Sequence, residues 1–310
     1  MLRSSVLVVV LLAVVTGFAM SDSSAASPGR NGRIAFEHFG EAGPPQIYTM
    51  TARGTERRLL TPGGTGSGLS PSYSPSGRRI VFVRYRKQRD LWTMRFEGSD
   101  QRPLGRTRRI DETDPSWSPG GKEIVFAVTR PASLEGIWTI GSNGRGRRRL
   151  TSGADSSPSW SPDGSEIAFD RYDDYTQTYN IFVVPAGGGA PTSLSTGPGV
   201  SDLKPDWSPD GSRILYVSDR PDTFQLDLWT MNPDGSDVRQ VTDTPDRDEH
   251  DAVWSPDGRW IVYVGESSSH GSSSYQLYVS RPDGSNLRKL THACRYCAII
   301  NDEPSWQPRR

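Results

Sequence analysis

The sequence predicts an all-β protein, a six-bladed β-propeller of four-stranded antiparallel blades, closed by pairing of its N- and C-terminal strands. The first observation is a recurring motif, Trp-Ser-Pro-Asp-Gly-x-x-Ile-x-Phe/Tyr, which begins with small variations at Tyr73, Trp117, Trp160, Trp207 and Trp254. The second is its spacing of about 43 to 52 residues, a period typical of stacked supersecondary units. The third is a short apolar segment of the Ile-Tyr type, which occurs six times and sets the number of blades, at residues 47–48, 91–92, 137–138, 181–182, 228–229 and 277–278.

Each part of the repeat predicts local structure from its own chemistry. The proline of Pro-x-Trp favours an extended segment, and Ser-Pro-Asp-Gly supplies the torsions of a tight turn. The run that follows, such as Ile214 to Val217, is short, apolar and rich in β-branched and aromatic residues, which indicates a buried strand. The Ile-Tyr segment forms a third strand, and an Asp-Gly turn leads to a fourth that ends in Leu-Thr. Burying one tryptophan stabilises by roughly 4–6 kcal/mol, and only a neighbouring unit can supply that burial, so we expect the units to stack.

Two incomplete copies of the motif lie at the two ends of the repeat region. Pro304-Ser305-Trp306 lacks the strand that should follow it, and the segment from Arg33 to Phe36 lacks the strand that should precede it. Paired in space, the two halves complete one blade and remove the sheet edge that an open array would expose. The sequence therefore predicts that the first and last strands close the ring.

The complete pattern, Pro-x-Trp-Ser-Pro-Asp-Gly-x-x-Ile-x-Phe followed by Ile-Tyr, Asp-Gly and Leu-Thr, resembles the WD40-like repeat of the TolB-type propellers. The resemblance extends from Asn31 to Pro308 and implies the propeller fold. TolB itself carries a separate α/β domain before its propeller, and that domain meets other Tol components. Here the leader runs into the first strand within a few residues, so we expect no counterpart of that domain.

Residues 1–26 have the pattern of a secretory signal peptide. Arg3 precedes a continuous apolar run from Val6 to Val15, and small residues follow the run. The run is shorter than the roughly 20 residues that a membrane-spanning helix needs. We therefore expect cleavage, which leaves residues 27–310 as one propeller without a membrane span, secreted or held in the periplasm or cell envelope. The alternative is an uncleaved leader that anchors the chain.

The composition fits an exported all-β domain. The 32 glycines and 24 prolines supply the many turns that such a fold requires. Lys plus Arg and Asp plus Glu both number 36, so no net positive charge favours nucleic acid as a partner. No linker or shift in composition marks a second domain, and we expect a monomer.

The loops of the predicted blades differ between the two faces of the ring. Turns after the first and third strands share one face, whereas hairpins after the second strands and links between blades share the other, hereafter the loop face. The first set is short and uniform; the second is long and varied, and function tends to reside on variable loops. We expect binding through a basic hairpin and an acidic, aromatic one: Arg84, Arg86 and Lys87, and Asp173, Asp174, Tyr175 and Tyr179. The alternative is that these hairpins are only solvated.

An acidic residue stands five positions before the tryptophan in four copies of the motif: Glu112, Asp155, Asp202 and Glu249. The corresponding position before Trp306 is Asn301, which is followed by Asp302. These positions precede the innermost strand, so they should ring the mouth of the central channel, where they could receive a cation or a basic peptide. Alternatively, each carboxylate bonds backbone amides of its own link and fixes the entry to the strand.

Two cysteines, Cys294 and Cys297, lie in the longest link between blades. Two nearby thiols in an exported chain are usually oxidised, which predicts a local disulfide. A redox role lacks the βαβ context that it usually has, and zinc held by both cysteines with His292 and Asp302 would be a sparse site. We expect no metal and no cofactor.

The sequence contains no Gly-x-Ser-x-Gly elbow, and its four histidines fall in separate loops or strand ends. We assign no catalytic residue and favour a non-catalytic scaffold that binds a protein or peptide of the cell envelope or exterior. Two alternatives stay open. One is a carbohydrate-binding propeller that uses Tyr172, Tyr175 and Tyr179 as stacking surfaces. The other is a hydrolase or lyase that uses carboxylates of the channel.

Overall fold

The computed structural model describes residues 30–39, 43–62, 66–105, 107–195, 199–219, 225–269, 272–292 and 300–309. The leader and both cysteines lie outside these residues. Within them, the strands form six four-stranded antiparallel sheets, as the sequence predicts. A single turn of 3-10 helix, Ala132–Leu134, is the one described helical element. No described helix has the length and apolar character needed to span a bilayer.

Each sheet is one blade, whose four strands follow one another from the centre of the ring outwards. The innermost strands are β4 Ser67–Tyr73, β8 Asp111–Trp117, β12 Asp155–Trp160, β16 Asp202–Trp207, β20 Asp248–Trp254 and β24 Ile300–Arg309. The second strands are β1 Arg30–Phe39, β5 Arg79–Tyr85, β9 Glu123–Arg130, β13 Glu166–Asp173, β17 Ile214–Ser218 and β21 Ile261–Ser269. The third strands are β2 Gln46–Thr51, β6 Arg89–Arg95, β10 Gly136–Gly141, β14 Thr178–Pro185, β18 Asp227–Met231 and β22 Ser272–Ser280. The outermost strands are β3 Arg58–Leu59, β7 Arg102–Pro103, β11 Arg148–Arg149, β15 Thr192–Ser193, β19 Arg239–Gln240 and β23 Arg288–Lys289.

Blade I consists of β24, β1, β2 and β3, and blades II to VI take β4 to β23 four at a time in chain order. Every innermost strand contacts the innermost strands of the two neighbouring blades, and β20 of blade VI contacts β24 of blade I. The six blades therefore form a closed ring around a central channel, which confirms the predicted six-bladed propeller.

The motif serine holds the turn between the first and second strands. In five blades its hydroxyl accepts a hydrogen bond, 2.9–3.1 Å long, from the backbone N–H of the residue before the motif isoleucine. The motif glycine has a φ of +66° at Gly77 and +74° at Gly164, where a side chain would be strained. The Ser-Pro-Asp-Gly sequence thus fixes the turn through one hydroxyl and one left-handed residue.

In blade I the first and second strands, β24 and β1, are not joined by this turn. Gln307, which follows Trp306, takes the position of the motif serine. Ile34 of β1 lies opposite Trp306 of β24, the register that intact blades show between isoleucine and tryptophan. The Gln307 side-chain oxygen accepts from the N–H of Arg33 at 3.1 Å, and its amide nitrogen donates to the backbone oxygen of Gly77 in blade II at 2.8 Å. The predicted closure by the terminal strands is confirmed.

The hydrophobic core of the described residues is divided into six clusters, and each lies at an interface between two neighbouring blades. The blade IV–V cluster, for example, packs Ile181 of one blade against Trp207 and Met231 of the next. No cluster belongs to a single blade, so a blade acquires its core only by stacking. The expected burial of the motif tryptophans by neighbouring units is therefore present.

Candidate functional site: the central channel and the loop face

Every innermost strand from β4 to β20 contains a β-bulge three residues before its tryptophan or tyrosine. The bulge residues have φ between +48° and +52°, and they are Ser70, Asp114, Ser157, Lys204 and Asp251. Pairing with the second strand shifts register at the same point. A bulge re-aims a side chain, and these five positions line the central channel.

The channel encloses a cavity of about 280 Å³ that is lined by residues from all six innermost strands. Its charged lining residues come from blades III, V and VI. Lys204 forms an ion pair with Asp251 of the next blade, and the other oxygen of Asp251 lies 2.6 Å from Nδ1 of His250. The channel therefore carries charges of both signs on the adjoining blades V and VI, and a further aspartate on blade III between the serines of blades II and IV.

Asp206, one residue before Trp207, is a polar link between blades in the channel wall. One of its oxygens accepts from the Ser159 hydroxyl at 3.0 Å, and the other accepts from the backbone N–H of Trp254 at 2.9 Å. Burial raises the pKa of Asp206 to about 6. This carboxyl group joins blades IV, V and VI.

Two buried carboxylates on second strands hold the bulges from behind. Glu37 of β1 accepts from the backbone N–H of Ser70, and Asp170 of β13 accepts from that of Lys204 at 2.9 Å. Burial raises the pKa of Asp170, and hydrogen bonds from the Ser156 hydroxyl and the Lys204 amide oppose that rise. Neither Glu37 and Asp170 nor the channel-lining bulges are predicted from the sequence pattern. The available signal was that four of the five bulge residues directly precede the proline of Pro-x-Trp.

The four acidic residues expected at the channel mouth do not line the channel cavity. All four are buried. Glu112 completes a repeated hydrogen bond. In five blades a hydroxyl beyond the fourth strand accepts from a third-strand backbone N–H at 2.8–2.9 Å; these hydroxyls belong to Thr61, Thr151, Ser195, Thr242 and Thr291. Blade II has Gly105 at this position, and Glu112 of blade III accepts from the N–H of Leu91 instead, at 2.9 Å.

Asp202 is bonded within its own blade, and Asp155 is bonded both to its own blade IV and to the end of blade III. Arg171 donates to both oxygens of Asp155, at 2.6 and 2.9 Å, and the Thr151 hydroxyl donates to the same carboxylate. Asp202 accepts from the Ser218 hydroxyl at 2.6 Å. Both carboxylates fix the start of an innermost strand. A role for them in ligand binding stays a prediction.

Glu249 belongs to a buried carboxyl pair between blades V and VI. Arg247 donates to one of its oxygens at 2.8 Å, and Asp227 is hydrogen-bonded to its carboxylate. Burial and the nearby Glu249 charge raise the pKa of Asp227 to about 7, while a hydrogen bond from Gln240 acts in the opposite direction. The protonated Asp227 carboxyl group can donate a hydrogen bond to the Glu249 carboxylate. Asp302 is the remaining candidate, and its backbone lies in β24 opposite that of Glu37.

The basic hairpin between β5 and β6 divides into a stacked and an exposed part. Arg84 lies over the ring of Trp92, with 4.6 Å between its guanidinium carbon and the ring centroid, and donates to the Gln101 side chain at 2.5 Å. Burial and the neighbouring Arg86 lower the pKa of Arg84. Arg86 and Lys87 are exposed at the tip. The exposed charge at the tip of this hairpin is thus that of Arg86 and Lys87, and the Arg86 guanidinium also lies over the Trp92 ring, 5.3 Å from its centroid.

The acidic hairpin between β13 and β14 displays an aromatic residue at its tip. Tyr175 is 95% exposed, and Asp174 beside it is exposed as well. The Asp173 carboxylate accepts from the Tyr175 backbone N–H at 2.8 Å, which fixes the turn. Tyr172 and Tyr179 pair across the two strands, with ring centroids 5.0 Å apart. The hairpin therefore presents its tip on a braced stem.

The described residues contain no group of three or more His, Cys, Asp or Glu side chains arranged to hold a metal ion. The fold and the channel place the chain among the six-bladed β-propellers that are built from sequence repeats. Residues 151–310 match the family model of the TolB beta propeller domain, and the chain belongs to this family. No curated protein matches the sequence significantly.

Solved structures share this architecture. TolB from Acinetobacter baumannii superposes with a TM-score of 0.75 at 22% identity, covering 90% of this chain and 67% of that one. A putative TolB from Agrobacterium tumefaciens gives 0.69 at 22% identity, covering 84% and 88%. An oligogalacturonate lyase from Vibrio parahaemolyticus gives 0.55 at 13% identity, covering 85% and 73%. At these identities the likeness establishes the fold alone.

Proposed function

We propose that the chain is an exported, non-catalytic scaffold that binds a protein or peptide of the cell envelope or exterior through its loop face. In this proposal the leader, residues 1–26, is removed, and residues 27–310 act as a monomer. The resemblance of the chain to the TolB propellers supports the scaffold. The mass of the N-terminal peptide, measured on protein recovered from the exported fraction, tests the processing.

The observation that carries the proposal is the β13–β14 hairpin. A tyrosine that is almost fully exposed at the tip of a braced hairpin is an aromatic residue of the type enriched among the central contacts of binding surfaces. The stem is held by the Tyr172–Tyr179 pair, so little conformational freedom is lost when a partner binds. The basic tip at Arg86 and Lys87 projects from the same face two blades away. A partner that contacts both hairpins carries basic groups opposite the acidic hairpin and acidic groups opposite the basic one.

The test compares two hairpin variants with a matched control. The processed chain is used to capture partners from an envelope extract, and each captured partner is then purified and titrated by calorimetry. We expect Tyr175→Ala to weaken binding roughly tenfold or more, since truncating a central aromatic contact typically costs more than 1 kcal/mol. Arg86→Gln with Lys87→Gln should mainly slow association and reduce its salt dependence.

The control is Val238→Ala, which removes an exposed apolar side chain from a turn on the opposite face. A partner whose affinity is lowered as much by Val238→Ala as by Tyr175→Ala would contradict the loop-face assignment. Circular dichroism melting of all variants excludes loss of the fold as the cause.

The second candidate, recognition of a carbohydrate, is favoured by the three tyrosines of the same hairpin. Tyr172, Tyr175 and Tyr179 offer aromatic faces of the kind that stack on sugar rings. A glycan array probed with the wild-type chain and with Tyr175→Ala separates the two. Glycan binding that depends on Tyr175, together with no captured protein partner, would favour the carbohydrate.

A further inference from the structure

The face opposite the loop face carries an uneven distribution of charge that the balanced composition conceals. On the turns and outer strands of blades VI, I, II and III, many basic side chains are exposed. We call this set the basic crescent: Arg259, Arg288, Lys289, Arg53, Arg57, Arg58, Arg78, Arg95, Arg102, Lys122, Arg145 and Arg148. These four blades are consecutive around the ring, because blade VI adjoins blade I at the closure.

In blades II, III and VI of the crescent, the turn after the first strand contacts the turn after the third strand. The Phe96 N–H, in the turn after β6, donates to the backbone oxygen of Arg78, in the turn after β4, at 3.1 Å. The Ser142 N–H makes the same contact with Lys122 in blade III at 2.8 Å. In blade VI the Arg281 side chain donates to the Arg259 backbone oxygen at 3.2 Å. The basic residues of both turns therefore face solvent on the same side of the ring.

Few carboxylates offset this charge. Those exposed on the same turns are Glu56, Glu97, Asp100 and Asp283. Two of them pair with arginines: Glu56 with Arg33 at 3.2 Å and Asp100 with Arg79 at 3.0 Å. The equivalent turns of blades IV and V carry exposed acids instead, namely Asp163, Asp210, Asp234 and Asp237, and the exposed Arg239 of β19 is paired with Asp237 at 2.8 Å. The positive potential is therefore confined to one side of this face.

Apolar side chains are exposed among these basic residues. Leu59 of blade I is 40% exposed, Phe96 of blade II 42% and Leu287 of blade VI 47%. Each is flanked in sequence by an exposed arginine of the crescent. Cationic side chains alone suit any polyanion, whereas cations interspersed with leucine and phenylalanine suit the headgroup region of an anionic bilayer. The apolar component therefore favours a lipid surface over a soluble polyanion.

We propose that the basic crescent docks the propeller on an anionic membrane surface. Arginines and lysines of blades VI, I, II and III lie among the lipid phosphates, and Leu59, Phe96 and Leu287 enter the headgroup layer. The loop face then points away from the membrane. This role goes beyond the proposed scaffold function and does not require it, since the two surfaces lie on opposite faces of the ring.

The test is co-sedimentation of residues 27–310 with phosphatidylcholine vesicles, with and without about a third phosphatidylglycerol. Residues 1–26 are omitted because an apolar leader would itself partition into lipid. We expect binding that requires the anionic lipid and falls as salt is raised. The triple variant Arg53→Gln, Arg145→Gln, Arg259→Gln should bind anionic vesicles roughly 100-fold more weakly, at about 1 kcal/mol for each basic residue near the surface.

The matched control removes the same charge from the loop face: Lys87→Gln, Arg108→Gln, Arg109→Gln. We expect its vesicle binding to be unchanged. Equal loss in both triple variants would reduce the effect to net charge and overturn the proposal, as would vesicle binding that survives the crescent variant.

A second pair of measurements separates lipid from soluble polyanion. Phe96→Ser with Leu287→Ser should weaken vesicle binding several-fold and leave retention on heparin unchanged. Retention of the wild-type chain on heparin without binding to anionic vesicles would overturn the membrane assignment in favour of a soluble polyanion. Melting curves of the vesicle-binding variants confirm that each is folded.

Discussion

At the scale of the residue, the acids five positions before the motif tryptophans lie in the first two positions of the innermost strands, where they bond backbone groups and arginines. Glu112 is the clearest example, because it replaces a hydroxyl that blade II lacks at Gly105. Both residues of this replacement can be read in the sequence: Gly105 stands where the other blades have threonine or serine, and Glu112 follows in the next blade. The sequence does not show that they meet, because the contact crosses a blade interface whose geometry depends on the whole ring.

We predict that Glu112→Ala lowers the free energy of unfolding by about 1–3 kcal/mol, since it leaves the buried N–H of Leu91 without an acceptor. Gly105→Thr added to this variant should recover part of the loss by restoring the hydroxyl that other blades use. A side chain fits there, because a Cβ at Gly105 meets no neighbouring atom closer than 3.7 Å. Urea denaturation of the wild type, both single variants and the double variant measures the coupling. Additive effects in this cycle would contradict the substitution of glutamate for hydroxyl.

The Asp227–Glu249 pair makes stability depend on pH. The folded-state pKa of Asp227, about 7, lies above the ordinary value of about 3.9 in the unfolded chain. The folded protein therefore binds more protons than the unfolded chain between these values, and this contribution to stability is lost as pH rises from about 4 through 7. Asp227→Asn keeps the shape without the charge, so we predict that it raises stability at pH 8 relative to the wild type and changes it less at pH 5. Denaturant midpoints at both values measure this. A variant with the wild-type dependence on pH would show that Asp227 ionises normally.

At the scale of the element, the strands follow from the sequence because each carries its own signals. Turn residues and short apolar runs fix the first two strands of every blade, and the predicted four-strand order is the observed one. The bulges of the innermost strands could not be predicted in the same way. Their left-handed residues are serine, aspartate and lysine, without the glycine that usually marks such a conformation. Tertiary contacts impose it, as with the Glu37 carboxylate on the Ser70 N–H.

Ser70 allows the bulge to be tested. A β-branched side chain is strained at a φ near +48°, so we predict that Ser70→Val destabilises by about 1–2 kcal/mol more than Ser70→Ala. The alanine variant is the matched control, because it removes the hydroxyl and leaves the backbone conformation accessible. Thermal melts of the two variants give the difference. Equal stabilities would mean that β4 relaxes to a regular strand when valine is present.

At the scale of the whole molecule, the number of blades and the closure were predictable, whereas the charged surface was not. Five copies of the motif and two half-motifs, which pair to make a sixth, correspond to the six blades of the ring. The basic crescent draws its residues from four blades, and each blade contributes three arginines or lysines. A net charge of zero conceals this arrangement. The central channel was equally hidden, since it forms only where six innermost strands converge.

The closure gives the largest prediction of stability. Truncation after Asn301 removes Trp306 and Gln307, and with them one partner of β1 and the contact to blade II. Burial of one tryptophan contributes roughly 4–6 kcal/mol, so we expect the melting temperature to fall by roughly 10 °C or more. Truncation after Pro308 keeps both residues and is the matched control. Similar melting temperatures for the two truncations would mean that the ring holds without β24.

The Arg33–Gln307 hydrogen bond joins residues 274 positions apart in the chain. β24, the inner neighbour of β1, is therefore the last strand of the ring to be synthesised. In an exported chain it is also the last strand of the ring to cross the membrane. Until β24 pairs with β1, five blades form an arc with an unpaired edge, which exposes the nascent molecule to strand exchange with its neighbours. The pairing of β24 with β1, rather than any earlier step of folding, is then the moment at which the ring acquires its native stability.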